Sequence, residues 1–196
     1  MKRTLRGTRR RRRKTRKGGG GSQVDICTTK QTWDTLIGAI SAGNIDLVNQ
    51  IVTHCPSIVY AVDVYPPQYS GMTPLYWAVC RNMQNIPLDA QYFAGKPAPK
   101  DNYYRIAELL LDRGAEPNKR TTQWYPGWAP IHWAAEYGNV DMINLLKQRG
   151  ADYTFTYYQM DGSVTSLRDI ATHATNGAAA KAILDVIASP NIYAPQ

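Results

Sequence analysis

At 196 residues the chain has room for one ordinary domain plus a tail. Its 43% hydrophobic content is that of a globular chain, and no apolar run approaches the roughly 18–20 residues that a membrane span needs. The net charge of +8 conceals two parts: residues 1–20 hold eleven of the 23 Lys and Arg and none of the 15 acids, which leaves a body with 12 basic and 15 acidic residues, a net of −3. A mildly acidic folded body behind a very basic arm is therefore expected, not a basic domain. Cys27, Cys55 and Cys80 are odd in number, widely spaced and without a CxxC pattern. The expectation is three reduced thiols, as in a cytosolic or nuclear protein, with neither a zinc site nor a disulfide framework.

Residues 1–22 run MKRTLRGTRRRRRKTRKGGGGS. Leu5 is the only bulky apolar residue, so neither the apolar core of a signal peptide nor the amphipathic face of a mitochondrial presequence is present. Like-charge repulsion and the lack of apolar surface predict a disordered arm, with Gly18 to Gly21 as a flexible tether. Three roles fit it: a nuclear or nucleolar import signal, an electrostatic anchor on nucleic acid, or a solubilising tail. The first two are compatible, and both rest on Arg9, Arg10, Arg11, Arg12, Arg13, Lys14, Arg16 and Lys17. No aromatic residue interleaves with these charges, so contact with nucleic acid would be blind to sequence.

Residues 23–63 read as a first helical hairpin. Leu36, Ala39 and Ile40 recur at helical spacing, Gly43-Asn44 makes a turn, and Ile45, Leu47, Val48, Ile51 and Val52 form a second apolar face. Asp34 or Thr35 is a candidate cap for the first helix, and Pro56 ends the second. Residues 71–118 form a second unit. It opens on Gly71-Met72-Thr73-Pro74-Leu75, where Thr73 suits an N-cap and Pro74 a first helical position. Its second helix is expected from Arg105 to Arg113, with Ile106, Leu109 and Leu110 inward. Between the two lies an apparent insertion over residues 82–104, rich in helix breakers and carrying the Tyr92-Phe93 and Tyr103-Tyr104 pairs.

Residues 127–159 form a third unit, and its pattern is the clearest. Pro130 starts a helix, Ile131, Ala134 and Ala135 mark one apolar face, and Gly138-Asn139 ends it. Val140, Ile143, Leu145 and Leu146 form the second face, closed by Gly150. Each hairpin is too small to bury its own apolar side, so it is stable only when stacked on similar units. This unit closely resembles an ankyrin repeat. The family's TPLH-x-A opening appears as Ala129-Pro130-Ile131-His132-Trp133-Ala134, and its LL-x-x-GAD ending as Leu145-Leu146-Lys147-Gln148-Arg149-Gly150-Ala151-Asp152. Residues 162–188 form a degenerate closing unit, with Leu167, Ile170 and Ala171 on one face, Asn176-Gly177 as the turn, and Ile183, Leu184 and Ile187 on the other; residues 189–196 are a tail. The expected architecture is all-α: an ankyrin-repeat solenoid of about four helix-turn-helix units with short β-hairpin-like finger loops. Ala39, Ala78, Ala134 and Ile170 are 39, 56 and 36 residues apart. Against a family period of about 33, the excess falls mainly in the second unit.

His132 stands where the family places a residue that bonds the neighbouring turn. Ala129 replaces the usual Thr, so the resemblance implies a His132 held more loosely or bonded to the preceding loop. His54 and His173 lack ligand-spaced companions, and no nucleophile–base pair, phosphate loop or metal cluster is evident. No cofactor and no catalysis are expected; an enzyme using the insertion as a lid has no reactive constellation behind it. The aromatics say more. Tyr65, Tyr69, Trp124, Tyr125, Trp128, Tyr157 and Tyr158 fall in loops between units. With Tyr76, Trp77, His132 and Trp133 they are candidates for a protein-binding surface. The competing expectation is that they pack finger on finger, since Tyr153 and Phe155 alternate like a half-buried strand.

The functional expectation is a monomeric, non-enzymatic, protein-binding module in the nucleus or cytoplasm, whose arm meets an import receptor or nucleic acid. Divergent, insertion-bearing units behind an Arg-rich arm are similar to proteins of large DNA viruses. That resemblance implies a host-cell setting, and an alternative in which the chain is a virion or nucleic-acid-associated component with the repeats as scaffold.

Overall fold

The computed structural model describes residues 26–62, 71–81, 99–122, 127–158, 163–173 and 177–189. The basic arm, Tyr65, Tyr69, Trp124, Tyr125, the Tyr92-Phe93 pair, the expected turn at Asp161-Gly162 and Asn176 lie outside the described residues.

Among the described residues eight α-helices pair into four hairpins: α1 (Lys30–Ser41) with α2 (Ile45–His54), α3 (Pro74–Arg81) with α4 (Lys100–Asp112), α5 (Pro130–Glu136) with α6 (Val140–Gln148), and α7 (Leu167–His173) with α8 (Gly177–Ala188). First helices pack in sequence, α1 on α3, α3 on α5 and α5 on α7; second helices pack α2 on α4 and α6 on α8. The segments around Leu36, Leu75, Ile131 and Leu167 thus lie side by side in register. Between consecutive hairpins these four residues are fully buried in one continuous apolar core with Val48, Ile106, Leu110, Ile143, Leu146 and Ile183. Burying such side chains stabilises by about 1.5–3 kcal/mol each, which no isolated hairpin of this size can collect.

Local chemistry sets each helix end. Gly43 and Gly138 adopt φ of 63° and 69°, which turns the chain after α1 and α5. The asparagine that follows begins the next helix: Asn44 Oδ1 accepts from Leu47 N at 3.1 Å, and Asn139 Oδ1 from Met142 N at 3.1 Å. Thr73 caps α3 as expected, its hydroxyl accepting from Tyr76 N at 3.2 Å. At α7 the cap is reciprocal. Ser166 Oγ accepts from Asp169 N, and Asp169 Oδ2 accepts from Ser166 N. These bonds to Ser166 hold the Asp169 carboxyl below its usual range.

Polar side chains tie neighbouring second helices together. The Arg113 guanidinium donates to Thr53 and Asn49 of α2. Arg149, just past α6, pairs with Asp112 and Glu108 of α4. The buried Lys147 ammonium donates to the carbonyls of Val186 and Ser189 at the end of α8.

Four expectations are corrected. First, α1 is capped by Thr29, whose hydroxyl accepts from Thr32 N at 3.2 Å; neither Asp34 nor Thr35 caps it, and Asp34 lies inside the helix paired with Lys30. Second, α4 begins at Lys100, a full turn before Arg105, so Tyr103 and Tyr104 belong to the helix and not to the insertion. Anchoring to the preceding hairpin explains the extra turn: the Tyr103 hydroxyl donates to Ser41 O at 3.0 Å and Asn102 Nδ2 to Gly43 O at 3.0 Å. Third, the finger strand does not include Tyr153 and Phe155. Strand β1 (Thr156–Tyr158) pairs antiparallel with β2 (Val164–Ser166), Thr156 opposite Ser166 and Tyr158 opposite Val164.

The fourth concerns the thiols. Cys27 and Cys55 form a disulfide, and only Cys80 is free. Their separation of 28 residues suggested no pairing, but an antiparallel hairpin returns the chain to its start and brings the two Cα atoms to 5.2 Å. Cys27 lies in a 3-10 turn, Ile26–Thr28, ahead of α1; Cys55 follows α2 and leads into a second 3-10 turn, Pro56–Tyr60. Cys80 is buried in α3, and desolvation pushes its thiol far above the ordinary range.

Candidate partner-binding face

The finger bases are fixed by backbone geometry. Gly71, Gly127 and Gly150 all have φ near 90°, which non-glycine residues rarely adopt. Gly71 also leaves room for the next finger, since a Cβ there would stand 3.0 Å from Thr122 N. Within the loop before α5, Thr121 N donates to Trp128 O at 3.0 Å and Gly127 N to Thr121 O at 2.9 Å. Across to the following loop, Asn118 Nδ2 donates to Gly150 O at 2.9 Å and its Oδ1 accepts from Asp152 N at 2.7 Å. The described finger bases therefore stand in a row, hydrogen-bonded or packed against one another.

An aromatic spine runs beneath them. Tyr76 of α3 meets Trp133 of α5 edge-on at 6.1 Å, and Trp133 meets Trp128 edge-on at 5.2 Å and stacks on Tyr137 at 5.8 Å. Trp128 leans on His132 at 6.0 Å, His132 meets Phe155 edge-on at 6.2 Å, and the Arg120 guanidinium covers Phe155. Among the expected binding residues, Tyr76, Trp77, Trp128, His132 and Trp133 are each at most 4% exposed. The expectation that these five offer an accessible surface is corrected: they join the hairpins and fingers to one another. Tyr157 and Tyr158 stand on β1 in the last finger, next to this row.

His132 is not loosely held. With no threonine at position 129, its Nδ1 accepts from the Ala129 backbone N–H at 3.0 Å and so takes over part of the missing cap. Burial drives its pKa down to about 4, with the nearby Arg120 charge adding to the drop, so the ring is neutral at pH 7 and fit for that acceptor role. Asp152 is pulled both ways. Burial raises its carboxyl, but hydrogen bonds from Thr154 and the Arg120 charge outweigh it and hold the pKa low.

Among the described residues the accessible part of the fingers is mostly polar. Lys119, Thr122, Asp152, Thr154, Thr156 and Ser163 are exposed beside Val164, at 51%, with Arg120 half-buried behind them. Sequence reasoning passed over these residues because large aromatics drew the attention. Their signal was their place in the loops between units, where short polar residues meet solvent first. Among the described residues no group of three or more His, Cys, Asp or Glu is gathered to hold a metal ion, and no helix is long and apolar enough to cross a membrane.

Comparison with known proteins gives the same architecture. A family profile described as Ankyrin repeats (3 copies) matches residues 98–193. The chain is 40% identical over 57 residues to the mouse 2-5A-dependent ribonuclease, which covers 29% of this chain and 7% of that protein. It is 47% identical over 47 residues to an ankyrin repeat protein of fowlpox virus (strain NVSL), covering 24% of this chain and again 7% of the relative. The match to each relative thus spans a small fraction of its length and touches only repeat sequence. An ankyrin stack is a protein-interaction fold and not a catalytic one. With its hairpins in register, its TPL and GAD signatures at the helix ends, and the profile match over residues 98–193, the chain carries ankyrin repeats and folds as an ankyrin-repeat stack.

Proposed function

We propose that the chain is a non-enzymatic adaptor that grips a protein partner along the edge formed by its finger loops. The observation that carries this reading is the ordered row of fingers. A rigid aromatic spine fixes loop bases that present Lys119, Arg120, Thr122, Asp152, Thr154 and Val164 together. A rigid support lowers the entropy lost when such loops bind. Tyr157 and Tyr158, and the neighbouring-loop residues Tyr65, Tyr69, Trp124 and Tyr125, are the aromatic anchors of the same proposal. The test is cross-linking mass spectrometry on the full chain with its captured partner, compared with the variant W124A/Y125A/Y157A/Y158A. The reading requires cross-links at Lys119 and weaker capture by a variant that still melts cooperatively. Cross-links confined to Lys181 and the outer helices would reject it.

For the arm, the supporting observation is eleven basic residues and no acid within residues 1–20. We assign it sequence-independent contact with nucleic acid or with an import receptor, which places the protein in the nucleus or cytoplasm. The fowlpox relative supports a host-cell setting, and with it the alternative of a virion component whose repeats are scaffold. The two readings separate on removal of residues 1–21. Loss of a steep salt-dependent affinity for DNA, with partner capture intact, supports the adaptor. Loss of both supports the scaffold reading.

A further inference from the structure

We propose that the Cys27–Cys55 disulfide is a redox latch on the first repeat: reduced, it lets the first hairpin open locally while the rest of the stack stays closed. The bond joins the two open ends of that hairpin. At one end, the 3-10 turn carrying Cys27 is bound into the α1 cap, since the carbonyl of Ile26 accepts from the Thr29 and Thr32 hydroxyls at 3.0 and 2.6 Å. At the other, Cys55 closes α2, its N–H donating to Ile51 O at 2.8 Å. The opposite end of the hairpin is closed by the Gly43-Asn44 turn, so cleaving the disulfide frees one end only. Among the described residues this hairpin packs on one neighbouring hairpin, α3 and α4, as the α7–α8 hairpin does on α5 and α6, so packing on one side alone holds it once the bond is gone.

Access to the bond is one-sided. Cys27 is partly exposed, whereas Cys55 is 5% exposed. A small dithiol reductant therefore attacks Sγ of Cys27. The S–S bond breaks and Cys55 leaves as a thiolate that takes up a proton. The reductant's second thiol then attacks the mixed disulfide, releasing Cys27 as a thiol and carrying away the reductant as its own disulfide, two electrons and two protons having passed to the protein. Cys80 takes no part. It is fully desolvated in α3, and its exchange with either partner would require α3 to unfold.

The test is limited trypsinolysis of the full chain, with cleavage after the exposed Lys30 in the first turn of α1 followed by mass spectrometry against cleavage after Arg149 in the third unit. The oxidised chain is compared with chain that has been reduced, alkylated and freed of reductant, and with C27S/C55S, which carries no alkyl bulk. Closing a loop of this size restricts the open state on the order of a hundredfold. Cleavage after Lys30 is therefore expected to rise by about that factor in both disulfide-free forms, while cleavage after Arg149 is unchanged. C80A, tested oxidised, is expected to match the wild-type chain. Equal Lys30 rates in all forms would overturn the latch. So would parallel rises at Lys30 and Arg149, which would make the bond a global staple, or labelling of Cys27 by maleimide in chain never exposed to reductant. None of these outcomes depends on partner binding.

Discussion

Gly138 shows how much one residue carries in a short repeat. Its φ of 69° turns the chain between α5 and α6, and a Cβ there would stand 3.0 Å from that of Ala179 in the neighbouring hairpin. Gly138→Ala is expected to cost about 2 kcal/mol in denaturant unfolding, from backbone strain and the close approach together. Gly38, inside α1 with nothing within 4 Å of a built Cβ, is the control: Gly38→Ala is expected to gain about 1 kcal/mol. His132 adds a pH dependence. Its folded pKa of about 4 lies below the ordinary 6.5, so the unfolded chain takes up the proton first. The stabilising contribution is complete above pH 6.5 and is lost as the pH falls from there through 4. It amounts to on the order of 3 kcal/mol at most. The charged groups facing the ring are Arg120 and Asp152, and Asp152, with its low pKa, stays ionised through most of that window. His132→Gln should flatten this part of the stability–pH curve, measured by urea melts at pH 4.5, 5.5 and 7; an unchanged slope would mean the ring titrates normally.

At the scale of the element, second helices are joined by cations at their C-terminal ends, and these joints differ in worth. Lys147 is buried and bonds the terminal carbonyls of α8, where a helix end favours positive charge. Lys147→Met is expected to cost about 1–3 kcal/mol, with hydrogen exchange in α8 accelerating before that in α5. Arg149 is about one-third exposed in its pairs with Asp112 and Glu108, so Arg149→Ala should cost under about 1 kcal/mol and less still in high salt. The helices themselves were largely legible in the sequence, because α1, α2, α5, α6 and α8 carry helical apolar spacing between turn residues. The start of α4 was not legible. Proline and glycine over residues 82–99 argued for breakage, and the tertiary bonds of Asn102 and Tyr103 to the preceding hairpin have no local signature. The same holds for the Cys27–Cys55 pair, whose proximity exists only once the hairpin has folded. Among site residues, aromatic loop positions could be picked out, but their burial could not. Trp77 and Trp133 sit in first-helix positions whose exposure depends on what the neighbouring units place over them.

For the whole molecule, four hairpins share one core, so that stability is a property of the stack, and the proposed binding edge depends on it too. Tyr76 and Trp133 are the direct probe, since they belong to different repeats, lie far apart in the chain, and meet edge-on at 6.1 Å. A double-mutant cycle with Tyr76→Leu and Trp133→Leu, read from urea unfolding of the full chain, isolates their interaction across the repeat boundary. The stacked architecture predicts a coupling of about 0.5–1.5 kcal/mol within a single cooperative transition. Additive losses, or two separate transitions for the halves of the chain, would contradict it.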